Sequence, residues 1–444
     1  LKIAIIGGGI SGVATAFYLK RFSPTNEITV FEREPDFGGK LKTVKKYGFS
    51  IEIGANGFLS NKPDTLDLVR DAGLEHLLMP SSDKARKRFI FDKGKLHQLP
   101  ENPKAFLKTK LLSPIGKLRV LFEFVIPAKK SDTEESLQDF GYRRVGKEMT
   151  NVFLDAMTAG VFASTPEKLS VNAAFPAVVK LEKEHGGLFK GMLAKKKKEA
   201  GPGGILMSFK GGVSTFIEAL AASFSFNKKL NCEVTKVKKL GLKWLVEASD
   251  GTQEEFDKIV IATPAFVAAR LLKEEDEELC ELLKTIEYSP VAVVALGYDN
   301  LPHPLDGFGL LTTKRSGIPV LGILWDSSIF PDRAENGNKL LRVMIGGQRQ
   351  PLLALKEEDE LLNIGTGGIS ETMGVYEEPL LKHVVRWHKA IPNYAVGHLA
   401  LIDRIFGRVA RLKGLYLNSN AYKGVSFNDC VKNSKETALK IISE

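Results

Sequence analysis

The sequence predicts an α/β fold in which a parallel-sheet domain is assembled from separated stretches of chain. A second domain is built on a mixed sheet, and a block of helices is inserted. Three observations carry that prediction. Residues Ile3 to Lys40 read strand, glycine turn, helix, strand. Strand-and-turn segments of the same kind return after about residue 205, beyond a stretch whose pattern is helical. Between Pro290 and Gly347 several short strands sit between turn signals, which points to a mainly antiparallel sheet rather than to strand–helix repeats.

Taken in chain order, the apolar run Ile3 to Ile6 breaks into Gly7-Gly8-Gly9-Ile10-Ser11-Gly12. An alanine-studded helical pattern follows, and a second strand, Ile28 to Phe31, ends on Glu32. This is the pattern of a dinucleotide-binding unit. Gly7 suits the tight turn, Gly9 a close approach of backbone to a pyrophosphate, and Gly12 close packing of helix on strand. The helix start offers N–H groups and positive partial charge to phosphate. Glu32 stands at about the spacing of the acid that binds a ribose hydroxyl pair. The glycine motif alone does not separate nicotinamide from flavin. The continuation Glu32-Arg33-Glu34-Pro35-Asp36-Phe37-Gly38-Gly39-Lys40 resembles the acid-then-Gly-Gly-basic extension of the flavoprotein amine oxidase superfamily. Two glycines beside a cation suit a second approach to the same pyrophosphate. The cofactor read from this stretch is FAD.

Further along, Gly54-Ala55-Asn56-Gly57-Phe58 leads into a helical stretch from Pro63 to Ala72. Phe89 to His97 reads as a hairpin turning at Gly94. From Pro103 to Gly204 the pattern is helical, with a capping box at Asp132 to Glu135 and a closing loop of Lys195 to Lys198 and Gly201 to Gly204. Lys210-Gly211-Gly212 precedes a helix, Cys232 to Val237 reads as a strand, and Ile259 to Ile261 is a buried-type strand ending in the turn Ala262-Thr263-Pro264. Strands are expected at Val291 to Leu296, Gly309 to Thr312, Val320 to Trp325 and Leu340 to Ile345, covered by a helix near Glu357 to Glu371. The chain ends with a strand, Leu415 to Asn418, and a helix from about Phe427. The expected organisation is a discontinuous FAD-binding Rossmann-like domain (1–85, 205–285 and 390–444), a mixed-sheet substrate domain (86–102 and 286–389) and an inserted helical domain (103–204).

At 444 residues the chain is too long for one small core, and 43% hydrophobic with 26% charged content describes a globular protein. Cys232, Cys280 and Cys430 are odd in number and far apart, which points to reduced thiols in the cytoplasm. No signal-peptide pattern stands ahead of the first strand, and the uncharged stretch Ile3 to Leu19 is the nucleotide turn rather than a membrane span. The net charge of +10 suggests anionic partners. Nucleic acid is not expected, because no basic stripe interleaved with aromatics is present. An anionic small substrate or an anionic membrane surface fits better.

Over nearly its whole length the chain is similar to the protoporphyrinogen/coproporphyrinogen oxidase family. The resemblance rests on Gly7 to Gly12, on Arg88-Phe89 with Gly94 to Pro100, on Gly160-Val161-Phe162-Ala163 and on Gly307-Phe308-Gly309. Gly322 to Ser327 with Phe330-Pro331, and Pro392-Asn393-Tyr394 with Gly397-His398, extend it, and Asn420 to Cys430 is its most specific segment. The resemblance implies FAD-dependent oxidation of a porphyrinogen to a porphyrin in haem synthesis. Hydride would pass from a meso carbon to flavin N5, with molecular oxygen as acceptor and hydrogen peroxide as product. Non-covalent FAD would be held by Gly7, Gly8, Gly9, Ile10, Ser11, Gly12, Glu32, Arg33, Gly39, Lys40 and Thr263. Gly54, Ala55, Asn56 and Gly57 would line the flavin, Val234 would hold the adenine end through its backbone, and Leu399 would occupy a shelf that is commonly aromatic. Val425, Ser426 and Phe427 would place helix N-terminal N–H groups near flavin N1 and O2, where reduced flavin gathers negative charge. Arg88 would pair with a substrate propionate, Leu311 and Leu324 would sandwich one pyrrole ring, Met344 would pack on another, and Asn56 would also face substrate. The family further implies a cytoplasmic enzyme with peripheral contact to the inner face of the membrane, ferrochelatase as a pathway partner and a homodimer. Two departures touch the cofactor contacts: Ser419 stands where the family often has Gly, and Leu399 where it often has an aromatic.

Porphyrinogen oxidation needs an oriented flavin and a dry apolar slot more than a strong protein base, and no Ser-His-Asp constellation or metal cluster appears in the segments that would line the pocket. On generic grounds Leu311, Leu324 and Met344 are core residues, Arg88 a solvated charge, and His97 and His398 structural. The lysine run 195–198 reads as a solvated loop or as a contact with anionic lipid beside Leu188-Phe189 and Met192-Leu193. Rival readings are an amine oxidase of the same superfamily, a carotenoid desaturase, and a non-catalytic porphyrin-binding flavoprotein. Asn420 to Gly424 does not supply the paired aromatic cage of the first, and the second should carry a Gly/Pro-rich terminal motif.

Overall fold

In the computed structural model, which describes residues 1–198 and 204–444, five parallel strands form the first sheet. Their order is Asn227–Lys229, Glu27–Phe31, Lys2–Ile6, Lys258–Ile261, Leu415–Leu417. Alternation along one strand explains why it is apolar throughout. Ile3 and Ile5 face the helices Ile10–Phe22, Val213–Ala222 and Phe427–Ser443, while Ala4 and Ile6 face Trp244, Ala268 and Leu279 on the other side. Each isoleucine fully buried in this way contributes roughly 1.5–3 kcal/mol. A three-stranded antiparallel sheet, Val234–Leu240, Lys243–Ala248 and Gln253–Phe256, covers the second face. Its first strand begins two residues later than the sequence suggested, with a bulge between Val234 and Lys236.

The second sheet has seven strands in the order Leu381–Pro392, Tyr288–Tyr298, Lys339–Gly346, Gly322–Leu324, Gly309–Thr312, Phe89–Asp92, Lys95–Gln98. Every neighbouring pair is antiparallel except Gly309–Thr312 with Phe89–Asp92, so the sheet is mixed. One face packs under the helix Glu358–Met373. Gly365 and Gly368 lie inside that helix at a cost of about 1 kcal/mol each relative to alanine. They are there because a Cβ would stand 2.9 Å from Val294 Cγ1 and 2.8 Å from Val320 Cγ1. The long edge strand Leu381–Pro392 has no counterpart in the sequence reading. Exposure along much of its length weakens the apolar alternation that would reveal it.

Between the hairpin Phe89–Gln98 and the strand Leu206–Phe209 the described residues are largely helical. Its interior is pinned by Arg144, fully buried, which pairs with Glu123 and donates to the carbonyls of Ile126 (2.9 Å) and Pro127 (3.2 Å). A buried guanidinium needs a carboxylate and carbonyl acceptors of that kind to offset its desolvation. The expected capping box at Asp132 to Glu135 is not the helix start. Ser136 caps the helix Leu137–Arg144 by accepting from Asp139 N at 3.0 Å, and Asp132 pairs with Lys183 at the surface. Residues 195–198 continue the helix Leu188–Lys198 rather than forming a loop, and the expected Gly201 to Gly203 turn lies outside the described residues. Among the described residues no helix is long and apolar enough to cross a membrane.

Candidate functional site

The first strand turns at Gly7, whose φ of +106° lies in the region that glycine favours and whose N–H donates to Phe31 O at 2.8 Å. A Cβ on Gly12 would collide with the Gly7 carbonyl, so helix and strand pack at a distance that only glycine permits. Gly9 differs from both. A Cβ there would find only Gly38 O within 4 Å, at 3.8 Å. Gly9 and Gly38 form an isolated parallel bridge, and Gly38 N donates to Gly8 O at 2.9 Å, so the two glycine loops run side by side. The helix Ile10–Phe22 begins beside them with no side-chain cap and no acid in its first turn. Orphan N–H groups, positive helix charge and a glycine-walled approach are what a pyrophosphate requires, so the residues present fit a dinucleotide.

Glu32 closes this region. Gly8 N donates to its Oε2 at 2.7 Å and Glu34 N to its Oε1 at 3.0 Å, which fixes the carboxylate at the end of the second strand. Arg33 is exposed and pairs with Glu34 at 3.1 Å, so its guanidinium is directed to a neighbour. Lys40 corrects the expected cation beside the pyrophosphate. Its ammonium donates to the carbonyls of Lys389 (2.9 Å) and Ala390, and lies 5.5 Å from the Tyr288 ring centre. Burial lowers its pKa to about 8. Thr263 lies against Gly7, where a Cβ would be 3.1 Å from the Thr263 methyl, and Val234 is buried opposite Ala248.

The segment Gly54 to Gly57 passes between two backbones. A Cβ on Gly54 would strike the Lys40 carbonyl, and one on Gly57 the Met207 carbonyl. Ala55 is exposed and Asn56 half-buried. The start of the terminal helix packs on the same segment: the rings of Phe58 and Phe427 meet edge to face at 5.6 Å, and Asn428 donates to Leu59 O at 2.9 Å. Ser426 caps that helix. Its hydroxyl accepts from Asp429 N at 3.2 Å while the Asp429 carboxylate accepts from Ser426 N at 3.3 Å. Of the three N–H groups expected to face a flavin, that of Ser426 is therefore engaged within the chain. The Val425 side chain packs against the helical cluster that includes Phe162 and Tyr394.

The second sheet supplies an apolar floor. Val293, Met344, Gly322, Leu311, Ile90 and His97 pair in succession across six strands, and their side-chain positions share one face. The adjacent row runs Ala295, Arg342, Leu324, Gly309. Leu311, Leu324 and Met344 are half-buried although their strand neighbours Leu310, Ile323 and Val343 are buried. Each row holds one glycine, and Gly322, between Met344 and Leu311, leaves the room that the Leu311 side chain takes up. Arg88 precedes the strand Phe89–Asp92, and alternation puts it on the same face as Ile90. It is exposed, its guanidinium carbon lies 5.2 Å from the Phe308 ring centre, and among the described residues no acid pairs with it.

Sequence reasoning passed over Arg342, which is 1% exposed and joins the two halves of the site. Its Nε donates to Asp326 Oδ2 at 2.8 Å and its Nη2 to Asp326 Oδ1 at 3.0 Å. Its Nη1 donates to the carbonyls of Glu52 and of Gly54 (3.1 Å), and its Nη2 also to Asn56 Oδ1. One signal was available: a lone arginine in the apolar strand Leu340-Leu341-Arg342-Val343-Met344-Ile345 needs a buried partner. Leu399 is not brought to the site in the same way. It is 47% exposed and lines an external groove with Pro176, Val179 and Lys183, because it lies on the outer side of the helix His398–Val409. His398 beside it is structural, stacked on Tyr394 at 4.0 Å with Nε2 3.1 Å from Tyr422 O. His97 is a half-buried strand residue opposite Ile90. Among the described residues no group of three metal-ligating side chains is present.

A family profile described as flavin containing amine oxidoreductase matches residues 10–442. The coproporphyrinogen III oxidase of Bacillus subtilis (strain 168) is 30% identical, over 98% of this chain and 96% of its own length. Protoporphyrinogen oxidase 1, chloroplastic, of Arabidopsis thaliana is 32% identical, over 98% of this chain and 87% of its own. A solved structure from Exiguobacterium sp. 255-15 is similar with a TM-score of 0.88 at 25% identity, covering 100% of this chain and 99% of that chain. Reduced UDP-galactopyranose mutase, at 14% identity, shares the fold with a TM-score of 0.76.

Proposed function

Because the chain belongs to the flavin-containing amine oxidoreductase family and is thus a flavin-dependent oxidoreductase, we propose that it binds FAD non-covalently and oxidises a porphyrinogen to a porphyrin, either coproporphyrinogen III or protoporphyrinogen IX. The observation that carries this reading is the floor of Leu311, Leu324 and Met344, half-buried beside the buried strand neighbours Leu310, Ile323 and Val343 and tied through Arg342 to the segment Gly54–Asn56. An electron-rich macrocycle of four pyrroles, puckered at its sp³ methylene bridges, is matched by apolar side chains on one sheet face, and its propionates by the exposed cation Arg88 at the edge. Relatives named coproporphyrinogen III oxidase and protoporphyrinogen oxidase, aligned over 98% of the chain, support the same substrate class.

Bound flavin supplies the hydride acceptor, and molecular oxygen the final oxidant, giving hydrogen peroxide. The chain's own residues position and exclude. Gly9, Gly39 and the uncapped helix start receive the pyrophosphate, and Glu32 the ribose. Leu311, Leu324 and Met344 keep water from the reacting methylene bridge, and Arg88 holds a propionate at the slot's rim. No side chain is assigned as a base. A pyrrole N–H made acidic by loss of hydride from the adjoining carbon passes its proton to water. Six hydrogens leave in three such rounds.

An amine oxidase reading is weaker on geometry. It calls for paired aromatic rings flanking the reacting carbon. Here Tyr422 is buried against Phe406 at 5.7 Å, and Tyr394 is stacked on His398. The test is to present coproporphyrinogen III and protoporphyrinogen IX separately to the yellow holoenzyme in air, following porphyrin fluorescence and peroxide. Turnover of one well above autoxidation supports the proposal and names the substrate. Absence of porphyrin from both, with FAD bound, overturns it.

A further inference from the structure

Arginine is a costly residue to bury, and Arg342 is buried at the middle of a seven-stranded sheet. Its strand neighbours explain how it got there. Leu341, Val343 and Ile345 face the core beneath the helix Glu358–Met373, so strand alternation turns Arg342 with Met344 to the slot face. Leu324 stands directly opposite on the next strand, and Ala295, which has no bulk to crowd it, on the other side.

A guanidinium has five N–H donors, and all five of Arg342 are used. Two make a fork to Asp326, which starts the short helix Asp326–Ile329. The other three go to the Glu52 carbonyl, the Gly54 carbonyl and Asn56 Oδ1, on a segment more than 280 residues away in the chain. Asn56 Nδ2 returns a bond to Asp326 Oδ1 at 3.3 Å. The Asn56 amide is thus held at both ends by this pair, and the turn from Glu52 to Asn56 hangs from one side chain of the opposing sheet. Fork geometry makes the attachment directional: a lysine would keep the charge and lose the planar array.

We propose that Arg342, oriented by Asp326, is a positioning residue. It sets the Gly54–Asn56 turn, and through it the flavin, at the separation from the Leu311–Leu324–Met344 floor at which the substrate carbon can react. The proposal rests on the porphyrinogen reading above for its substrate side only. Its cofactor side is independent of what is oxidised.

The test uses FAD-loaded Arg342→Lys and Asp326→Asn, with kcat, KM and the visible circular dichroism of the bound flavin measured for each. Asp326→Asn preserves size and part of the fork and serves if the lysine variant does not fold. Normalised to bound FAD, kcat is expected to fall about 30- to 100-fold in Arg342→Lys and about tenfold in Asp326→Asn, with KM changed less than about threefold, since a 1 Å misplacement costs on the order of 10²-fold. The flavin dichroism changes in both. Unaltered flavin dichroism with wild-type kcat per bound FAD, whatever the loss of yield or melting temperature, would mean a purely structural role and overturn the proposal. If the wild-type protein oxidises no porphyrinogen, the functional reading fails, and the dichroism still decides the positioning claim.

Discussion

Leu311 leans on Gly160. A Cβ built on that glycine, in the helix Asp155–Phe162, would stand 2.6 Å from Leu311 Cδ2, and one on Gly322 would stand 2.8 Å from the same atom. Two glycines from different parts of the fold therefore set the room that Leu311 has on this face of the sheet. Gly160→Ala is expected to push the leucine forward, raise KM for the porphyrinogen about tenfold, leave FAD occupancy unchanged and cost about 1–3 kcal/mol of stability as an overpacked contact. Steady-state kinetics beside thermal unfolding will show it, and an unchanged KM would remove Leu311 from the substrate surface.

Arg88 is exposed and rests on Phe308, so the fold gains little from its charge. A charge-assisted hydrogen bond to a propionate contributes about 1.5–3 kcal/mol. Arg88→Ala should therefore raise KM by about 10- to 100-fold while FAD stays bound and the melting temperature moves by no more than a degree or two. Porphyrinogen kinetics identical to wild type would sink its role.

Gly9 and Gly12 make opposite predictions from one loop. A Cβ on Gly9 meets almost no protein, whereas one on Gly12 strikes the Gly7 carbonyl. Gly9→Val is expected to fold with unchanged far-ultraviolet dichroism and to lose the yellow colour. Gly12→Val is expected to destabilise the first sheet itself. Retention of full FAD by folded Gly9→Val would contradict the pyrophosphate placement.

Lys40 links the cofactor segment to the edge strand of the second sheet, and burial lowers its pKa from 10.5 to about 8. In the unfolded chain the amine holds its proton to about 10.5, so between pH 8 and 10.5 the unfolded state binds more protons than the folded one. Stability from this group therefore rises with pH across that window, by up to about 3 kcal/mol, and below pH 8 the whole burial penalty is present. Urea unfolding of wild type and Lys40→Met at pH 7.5, 9 and 10 gives the comparison. The variant should lack the rise, and parallel pH profiles would refute the assignment.

Much of the architecture was legible because its signals are local. The glycine loop, the hairpin at Phe89–Gln98 and the helix Glu358–Met373 each announce themselves within a short window of periodicity and turn residues. Others were misread for the same reason. Asp132 to Glu135 has the composition of a cap, but the chain begins its helix at Ser136, where a bond to Asp139 N competes successfully. Lys40 looked like a phosphate-binding cation because it follows two glycines, and only the arrival of Lys389 and Ala390, some 350 residues on, gives its ammonium a different partner.

By itself the sequence determined the strand–glycine–helix unit, the apolar and glycine residues that the second sheet would need, and the family to which they belong. Those properties depend on backbone freedom and on alternation, which act between residues close in the chain. Tertiary structure alone decided which side chains meet: Leu311 with Gly160, Arg342 with Asp326 and Asn56, Glu32 with the Gly8 amide. Such contacts depend on strand order and on the direction each buried polar group must take to find a partner. Buried polar groups left unpaired are too costly to tolerate, and the segments that satisfy them come from anywhere in the chain.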